Sequence, residues 1–206
     1  MSDRSGLKRS YDSAYDRAGP LFGLRPDPAL VDLIAERSLS GRALDVGAGD
    51  GRHALFLARR GFTVDALDIS ERAVQTLREL ARRSRLPVAP RMGDCTDPSV
   101  VHGPYSIIVA DTVLGHLDRA EAAEVGKRLS GALAPGGLLF VIALADDDPR
   151  ESEFADLSWT YYSPEQLVAL FPHLCIERCE RLSVTDRGHG EPHRHSVLRL
   201  VARRED

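Results

Sequence analysis

The stretch Arg42 to Ser70, RALDVGAGDGRHALFLARRGFTVDALDIS, constrains this chain more than any other. A short apolar run (Ala43, Leu44, Val46) ends in a turn with glycine at positions 47, 49 and 51. Leu55, Phe56, Ala58 and Arg59 then recur at helical spacing until Gly61 interrupts them. A second apolar run (Val64, Ala66, Leu67) ends on Asp68. Strand, turn, helix and strand within about 30 residues is the size of a βαβ unit.

Glycines in such a turn let the backbone bend sharply and let a ligand lie against bare main chain, facing the amides of the following helix. Asp68 falls near the spacing at which a carboxylate ending the second strand holds a ribose hydroxyl pair. The dinucleotide pattern G-x-G-x-x-G fails, because its sixth position is Arg52. Asp45 and Asp50 flank the turn, and their field opposes a pyrophosphate. The same pair suits a ligand that carries an ammonium and a sulfonium. Asp45 to Gly51 matches the E/D-x-G-x-G-x-G turn of class I S-adenosylmethionine-dependent methyltransferases, which this chain resembles. A nicotinamide-dependent dehydrogenase is the rival enzyme class, disfavoured by charge. A non-catalytic S-adenosylmethionine-binding protein of the same fold is the rival outside catalysis.

The rest of the chain alternates strand and helix. Ser70 and Glu71 open a helix expected to reach about Ser84, and Leu86 to Met92 reads as a third strand, shortened by two prolines. Tyr105 to Asp111 is a near-continuous apolar run of the kind buried on both faces of a parallel sheet. A helix follows from Asp118 to Ala134 and stops at Pro135-Gly136-Gly137, before a fifth strand, Leu138 to Leu144. Ser163-Pro164-Glu165-Gln166 opens a further helix. Cys175 to Val184 and Arg194 to Arg203 read as two last strands. The pattern predicts an α/β, Rossmann-like doubly wound sheet, mostly parallel, with its ligand crevice at the strands' carboxyl ends, where Asp45, Asp68, Asp94 and Asp111 fall. The resemblance implies seven strands with an antiparallel C-terminal strand.

Residues 1–27 are polar with spaced aromatics and read as an N-terminal lid or flexible segment; residues 28–206 form the expected methyltransferase domain. A chain of 206 residues with net charge −4 fits one domain and argues against nucleic acid. The three cysteines form no disulfide framework, and no apolar run approaches membrane-spanning length. A cytoplasmic protein with no membrane partner, monomer or homodimer, is expected.

Tyr11-Asp12-x-x-Tyr15, the glycine unit and LAPGGLLFVIAL resemble the tellurite-resistance and thiopurine-type small-molecule methyltransferases. That resemblance implies S-adenosyl-L-methionine as cofactor and a small-molecule methyl acceptor. It places Asp45 and Gly47 at the methionine ammonium, Gly49 and Asp50 along the same groove, and Asp68 on the ribose. Ile69 would pack on the adenine, Asp94 would take its amino group with Cys95 beside it, and Asp111 would lie near the methionine end. Tyr11 and Tyr15 belong to the lid.

A hydroxyl or amine acceptor needs a base with pKa near operating pH, which favours histidine, whereas a soft thiolate or chalcogenide needs mainly positioning. His116, after strand four, and His193 and His195, on one face of the last strand, are the candidate catalytic residues. His189 at the hairpin tip is a candidate for substrate or lid. The acidic run Asp146-Asp147-Asp148 reads as a solvated loop. A zinc site from His189, His193 and His195, or from Cys175 and Cys179, is the rival reading; structural zinc wants four ligands, and the two thiols would stand about 13 Å apart along a strand, so no metal is expected.

Overall fold

The computed structural model describes residues 3–17, 19–149, 157–186 and 191–205. Seven strands form one sheet: β1 (Arg42–Val46), β2 (Thr63–Asp68), β3 (Val88–Met92), β4 (Tyr105–Asp111), β5 (Leu133–Leu144), β6 (Cys175–Asp186) and β7 (His193–Arg203). Their order is β3-β2-β1-β4-β5-β7-β6. Strands β1 to β5 pair in parallel, and β7 runs antiparallel to both β5 and β6. The doubly wound sheet with its antiparallel C-terminal strand is the expected one.

Helices α1 (Arg4–Ala14), α2 (Pro28–Glu36), α3 (Arg52–Arg59), α4 (Glu71–Ser84), α5 (Arg119–Ala132) and α6 (Pro164–Val168) complete the fold. Their starts follow local chemistry. Asp27 caps α2 with Pro28 at its first position, Ser70 caps α4, and Asp118 with Glu121 and Ser163 with Gln166 form capping boxes on α5 and α6. Alternate residues of the strands feed two cores. Leu44, Ile108, Leu139 and Leu200 pack with Val125 and Leu129 of α5 on one face. Ala43, Ile107, Phe140 and Val201 pack with Leu30 of α2 and Leu57 of α3 on the other. Burial on both faces explains why β4 and β5 read as unbroken apolar runs.

Three local expectations are corrected. Helix α5 ends at Ala132, and β5 begins at Leu133 rather than after Pro135-Gly136-Gly137. A register shift against β4 between Tyr105 and Ile107 accommodates that triplet within the strand. Strand β3 starts at Val88 and keeps Pro90, which an edge strand tolerates. The acidic run is not uniformly solvated: Asp146 and Asp147 pair with Arg181, but Asp148 is buried. Asp148 Oδ2 accepts from the Ser196 amide at 2.9 Å and contacts His195 Nδ1 at 3.0 Å, so β7 supplies the partners that let a carboxylate leave water.

Candidate functional site

The carboxyl ends of the parallel strands open on a cavity of about 500 Å³. Gly47, Gly49, Asp50, Asp68, Ile69, Asp94, Cys95 and Asp111 all line it. Glycine is required in the turn on two counts. Gly49 has φ +51°, and a Cβ there would lie 2.5 Å from the Tyr15 hydroxyl; Gly51 has φ +93°, and a Cβ would lie 2.1 Å from Leu77 Cδ1. Asp68, at the end of β2, takes the Gly49 amide at 2.7 Å on one oxygen and the Ser70 amide at 2.8 Å on the other. Burial pushes its carboxyl up to about 6, and the two amides oppose that rise.

Asp45 departs from its expected place, because it is not in the cavity wall. It is 1% exposed, and its Oδ2 accepts from the amide of Ala54 at 2.8 Å. The N-cap of α3 is Gly51, which has no side chain to cap with, so the strand carboxylate behind the turn takes that duty. Burial pushes Asp45 up to about 7, opposed by the Ala54 amide.

The remaining carboxylates are tied down from several elements. Asp50 accepts from the Leu21 amide at 2.5 Å, fixing the segment before α2 over the turn. Asp111 forms an ion pair with Arg52, the residue that broke the dinucleotide pattern, and lies 3.8 Å from His53 Nε2. Burial lowers His53 to about 4, against the pull of Asp111, so that ring stays neutral. Asp94 accepts from the Thr96 amide at 2.8 Å and lies 3.3 Å from Arg4 Nε. Burial raises the Cys95 thiol to about 12, and the Asp94 charge adds to the rise, so Cys95 presents a protonated wall.

Helix α1 covers the cavity. Arg4, Leu7, Tyr11 and Tyr15 all reach the cavity. The helix is anchored at Asp12, which accepts from the Ser70 hydroxyl at 2.7 Å beside the start of α4. Arg4 also donates to the His116 carbonyl at 2.9 Å and to Glu121 at 2.8 Å, tying the helix to the far side. The Tyr11 hydroxyl lies 2.7 Å from His116 Nε2, and the His116 ring sits 4.0 Å from that of Trp159. Burial raises Tyr11 far above its ordinary value, with the Asp68 charge adding to it, so its hydroxyl is the donor in this pair. Burial, with Arg4 nearby, lowers His116 to about 3. His116 is therefore neutral at physiological pH, and it lacks the pKa near operating pH that a general base needs.

The hairpin of β6 and β7 supplies the last part of the wall. His195 and Asp186 line the cavity, whereas His193 stands beside His195 just outside it. His189 lies outside the described residues. Arg4, Leu7, Trp159, Arg52, His53 and Asp186 escaped the sequence reading as site residues. Trp159 had a signal in the unusual aromatic content of its loop. Arg4 and Asp186 had none, since each depends on where a distant element lands.

Residues 43–137 match a protein family described as Methyltransferase domain. The chain is 27% identical over 167 residues to Hemagglutinin 1 of Eikenella corrodens, which is 79% of this chain and 54% of that protein. It is 28% identical over 108 residues to the probable S-adenosyl-L-methionine-dependent methyltransferase TehB of Haemophilus influenzae, 52% of this chain and 37% of that protein. The solved structure of TehB from Haemophilus influenzae shares the fold, with a TM-score of 0.75 and 19% identity over 96% of this chain and 67% of that one. The chain thus spans about half of the first of these curated relatives and less of the second.

Proposed function

We propose that this chain, whose residues 43–137 form a class I S-adenosylmethionine-dependent methyltransferase domain, moves the methyl group of S-adenosylmethionine to a small-molecule acceptor. The carrying observation is one cavity whose wall joins two unlike sets of residues. The glycine turn, Asp68 and Asp94 make up one, and Tyr11, His116 and Trp159 the other. The first set suits the cofactor, with Asp68 on the ribose, Asp94 and Ile69 on the adenine, and Asp50 and Asp111 giving the field that a sulfonium and an ammonium prefer. The second set suits the acceptor, since aromatic edges exclude water and align a nucleophile with the methyl carbon for in-line displacement.

His116 refines the acceptor class. A ring held at about 3 is a weak proton sink at neutral pH, where general bases work best with a matched pKa. With Tyr11 donating to Nε2, the ring proton sits on Nδ1, which has no hydrogen-bond partner among the described residues. A wall with so weak a proton sink favours an acceptor that arrives already anionic, such as a thiolate, a chalcogenide or an acidic hydroxyl. His116 then shapes the wall between Tyr11 and Trp159 and takes no proton from the nucleophile.

No described helix is long and apolar enough to cross a membrane, and three free cysteines suit a reducing compartment, so we place the protein in the cytoplasm. Isothermal titration with S-adenosylmethionine and with NAD tests the cofactor: only the first is expected to bind. Incubation with methyl-labelled cofactor and a panel of thiols, selenols and acidic phenols tests catalysis. Cofactor binding with no transfer across the panel would favour a binding protein over an enzyme.

A further inference from the structure

We propose that the β6–β7 hairpin carries a site for a first-row divalent metal ion of the zinc class, held by Asp186, His193 and His195 at the edge of the cavity. The inference goes beyond methyl transfer and does not depend on it.

The geometry begins with strand register. Asp186 and His193 are directly opposed across the antiparallel pair, and His195 lies two residues along β7. Opposed residues share a face with Cβ atoms about 5 Å apart, and residues two apart on a strand share a face as well. The three side chains therefore converge, and one ligand atom from each lies within 4.8 Å of the others.

Hydrogen bonding then fixes what the two rings present. His193 Nδ1 is 2.8 Å from the Glu191 carbonyl oxygen, which can only accept, so Nδ1 carries the proton. His195 Nδ1 is 3.0 Å from Asp148 Oδ2, which also receives the Ser196 amide, so here too Nδ1 is the donor. That leaves the two Nε2 atoms, each able to offer a lone pair, facing one another at 3.0 Å. Facing lone pairs repel unless a cation lies between them.

A metal ion can bridge all three groups where a shared proton joins two. Nitrogens each about 2.1 Å from one ion stand roughly 3.0–3.4 Å apart at octahedral to tetrahedral angles. Two imidazoles and a carboxylate are a donor set suited to zinc or ferrous iron rather than to magnesium or calcium. The His195–Asp148 pair has the form of the carboxylate–histidine contacts that orient metal-ligating rings, and Asp148 is 6% exposed. Asp186 and His195 line the cavity, so an ion held there would sit in its wall with a coordination position turned toward a bound molecule. An oxygen or sulfur donor on that molecule is the chemical class it would take.

The test uses the full chain stripped with a chelator and titrated with Zn2+ against a chromophoric competitor, with Co2+ substitution read by visible absorption. One Zn2+ per chain is expected, and Co2+ should give the intense bands of a low-coordinate site. His193→Ala and Asp186→Asn should each weaken Zn2+ by more than about a hundredfold, since even outer-shell partners reach roughly 10–100-fold. A Cys175→Ser/Cys179→Ser protein should bind as the wild type does. Circular dichroism melts establish that each variant is folded. No stoichiometric Zn2+, unchanged affinity in His193→Ala and Asp186→Asn, or loss of binding with the cysteines would each overturn the proposal. In the first two cases the paired rings would be sharing only a proton. S-adenosylmethionine titration of the same samples reports the methyltransferase reading separately.

Discussion

Replacing Asp68 by asparagine tests the cofactor wall at its centre, and the structure sets both the size and the pH dependence of the effect. The side chain keeps its shape but loses its charge, and with it the charge-assisted hydrogen bonds to a ribose. Those bonds are worth about 1.5–3 kcal/mol each, so S-adenosylmethionine affinity at pH 8 should fall by roughly tenfold to a hundredfold. The wild-type carboxyl titrates at about 6 in the free protein. A ligand that donates hydrogen bonds prefers the carboxylate, so wild-type affinity is full above pH 6 and is lost as pH falls through it. At pH 5 about nine carboxyls in ten are protonated, and affinity should be about tenfold below its pH 8 value. Asparagine has no such titration, so the gap between the two proteins should close toward pH 5. Stability has the opposite sign. The folded pKa lies above the unfolded one, so the native state holds the extra proton and the ligand-free protein loses stability as pH rises from about 4 to 6. Asp68→Asn removes that buried charge and leaves the Gly49 and Ser70 amides one acceptor for two, two changes that offset each other. Its melting temperature at pH 8 should therefore stay near that of the wild type, which certifies the fold. Calorimetric titration at pH 5, 6, 7 and 8 decides the matter. Equal affinities at pH 8, or a gap that does not narrow on acidification, would refute the placing of the ribose on Asp68.

Three further outcomes are expected. His116→Ala should lower turnover by less than about a hundredfold and leave the shape of the pH–rate profile between pH 5 and 8 unchanged, because that ring is already neutral there; loss of an acid limb in the variant would instead identify a general base, worth roughly 10²–10⁴. Deleting residues 1–17 removes Tyr11, Tyr15 and Arg4 from the wall, and turnover should fall at least tenfold while the melting temperature shifts by only a few degrees, since covering elements come from the low-stability end of a fold. A truncated protein with full turnover would return the segment to the role of a tail. Gly51→Ala should cost about 1–2 kcal/mol for the left-handed backbone and about 1–3 for crowding Leu77, lowering the melting temperature by on the order of 5–15 °C; an unchanged melt would show that the turn relaxes freely.

The glycine unit is legible in the sequence because its information is local. Period, turn residues and the closing Asp68 all lie within one stretch, and each strand there has both faces buried, so apolar runs mark it plainly. Asp45 is misplaced by its sequence for a physical reason: its duty follows from the bare N-terminus of α3, where Gly51 offers no side chain. Asp148 is hidden because three adjacent acids look alike in sequence, and only the partners on β7 separate the buried one from its neighbours. Asp186 is invisible for a related reason, since nothing but the hairpin register brings it opposite His193. Arg4 belongs to a helix whose polar sequence gives no sign of the surface it covers.

The hairpin has a consequence for how this chain could diversify. Pairing with β5 ends at Leu144 and Val197, yet β6 and β7 continue to Asp186 and His193 as a two-stranded ribbon. The glycine turn, Asp68 and Asp94 belong to the layered sheet, where a change in one side chain disturbs two packed faces. Among the described residues no third strand pairs along the ribbon beyond Val197, so its outer positions can be exchanged with little effect on the central layers. If the rim greets the acceptor, that part of the wall is free to drift while the part that holds the cofactor is not. One enzyme body could thus be refitted for a new nucleophile by rewriting a few positions at its rim.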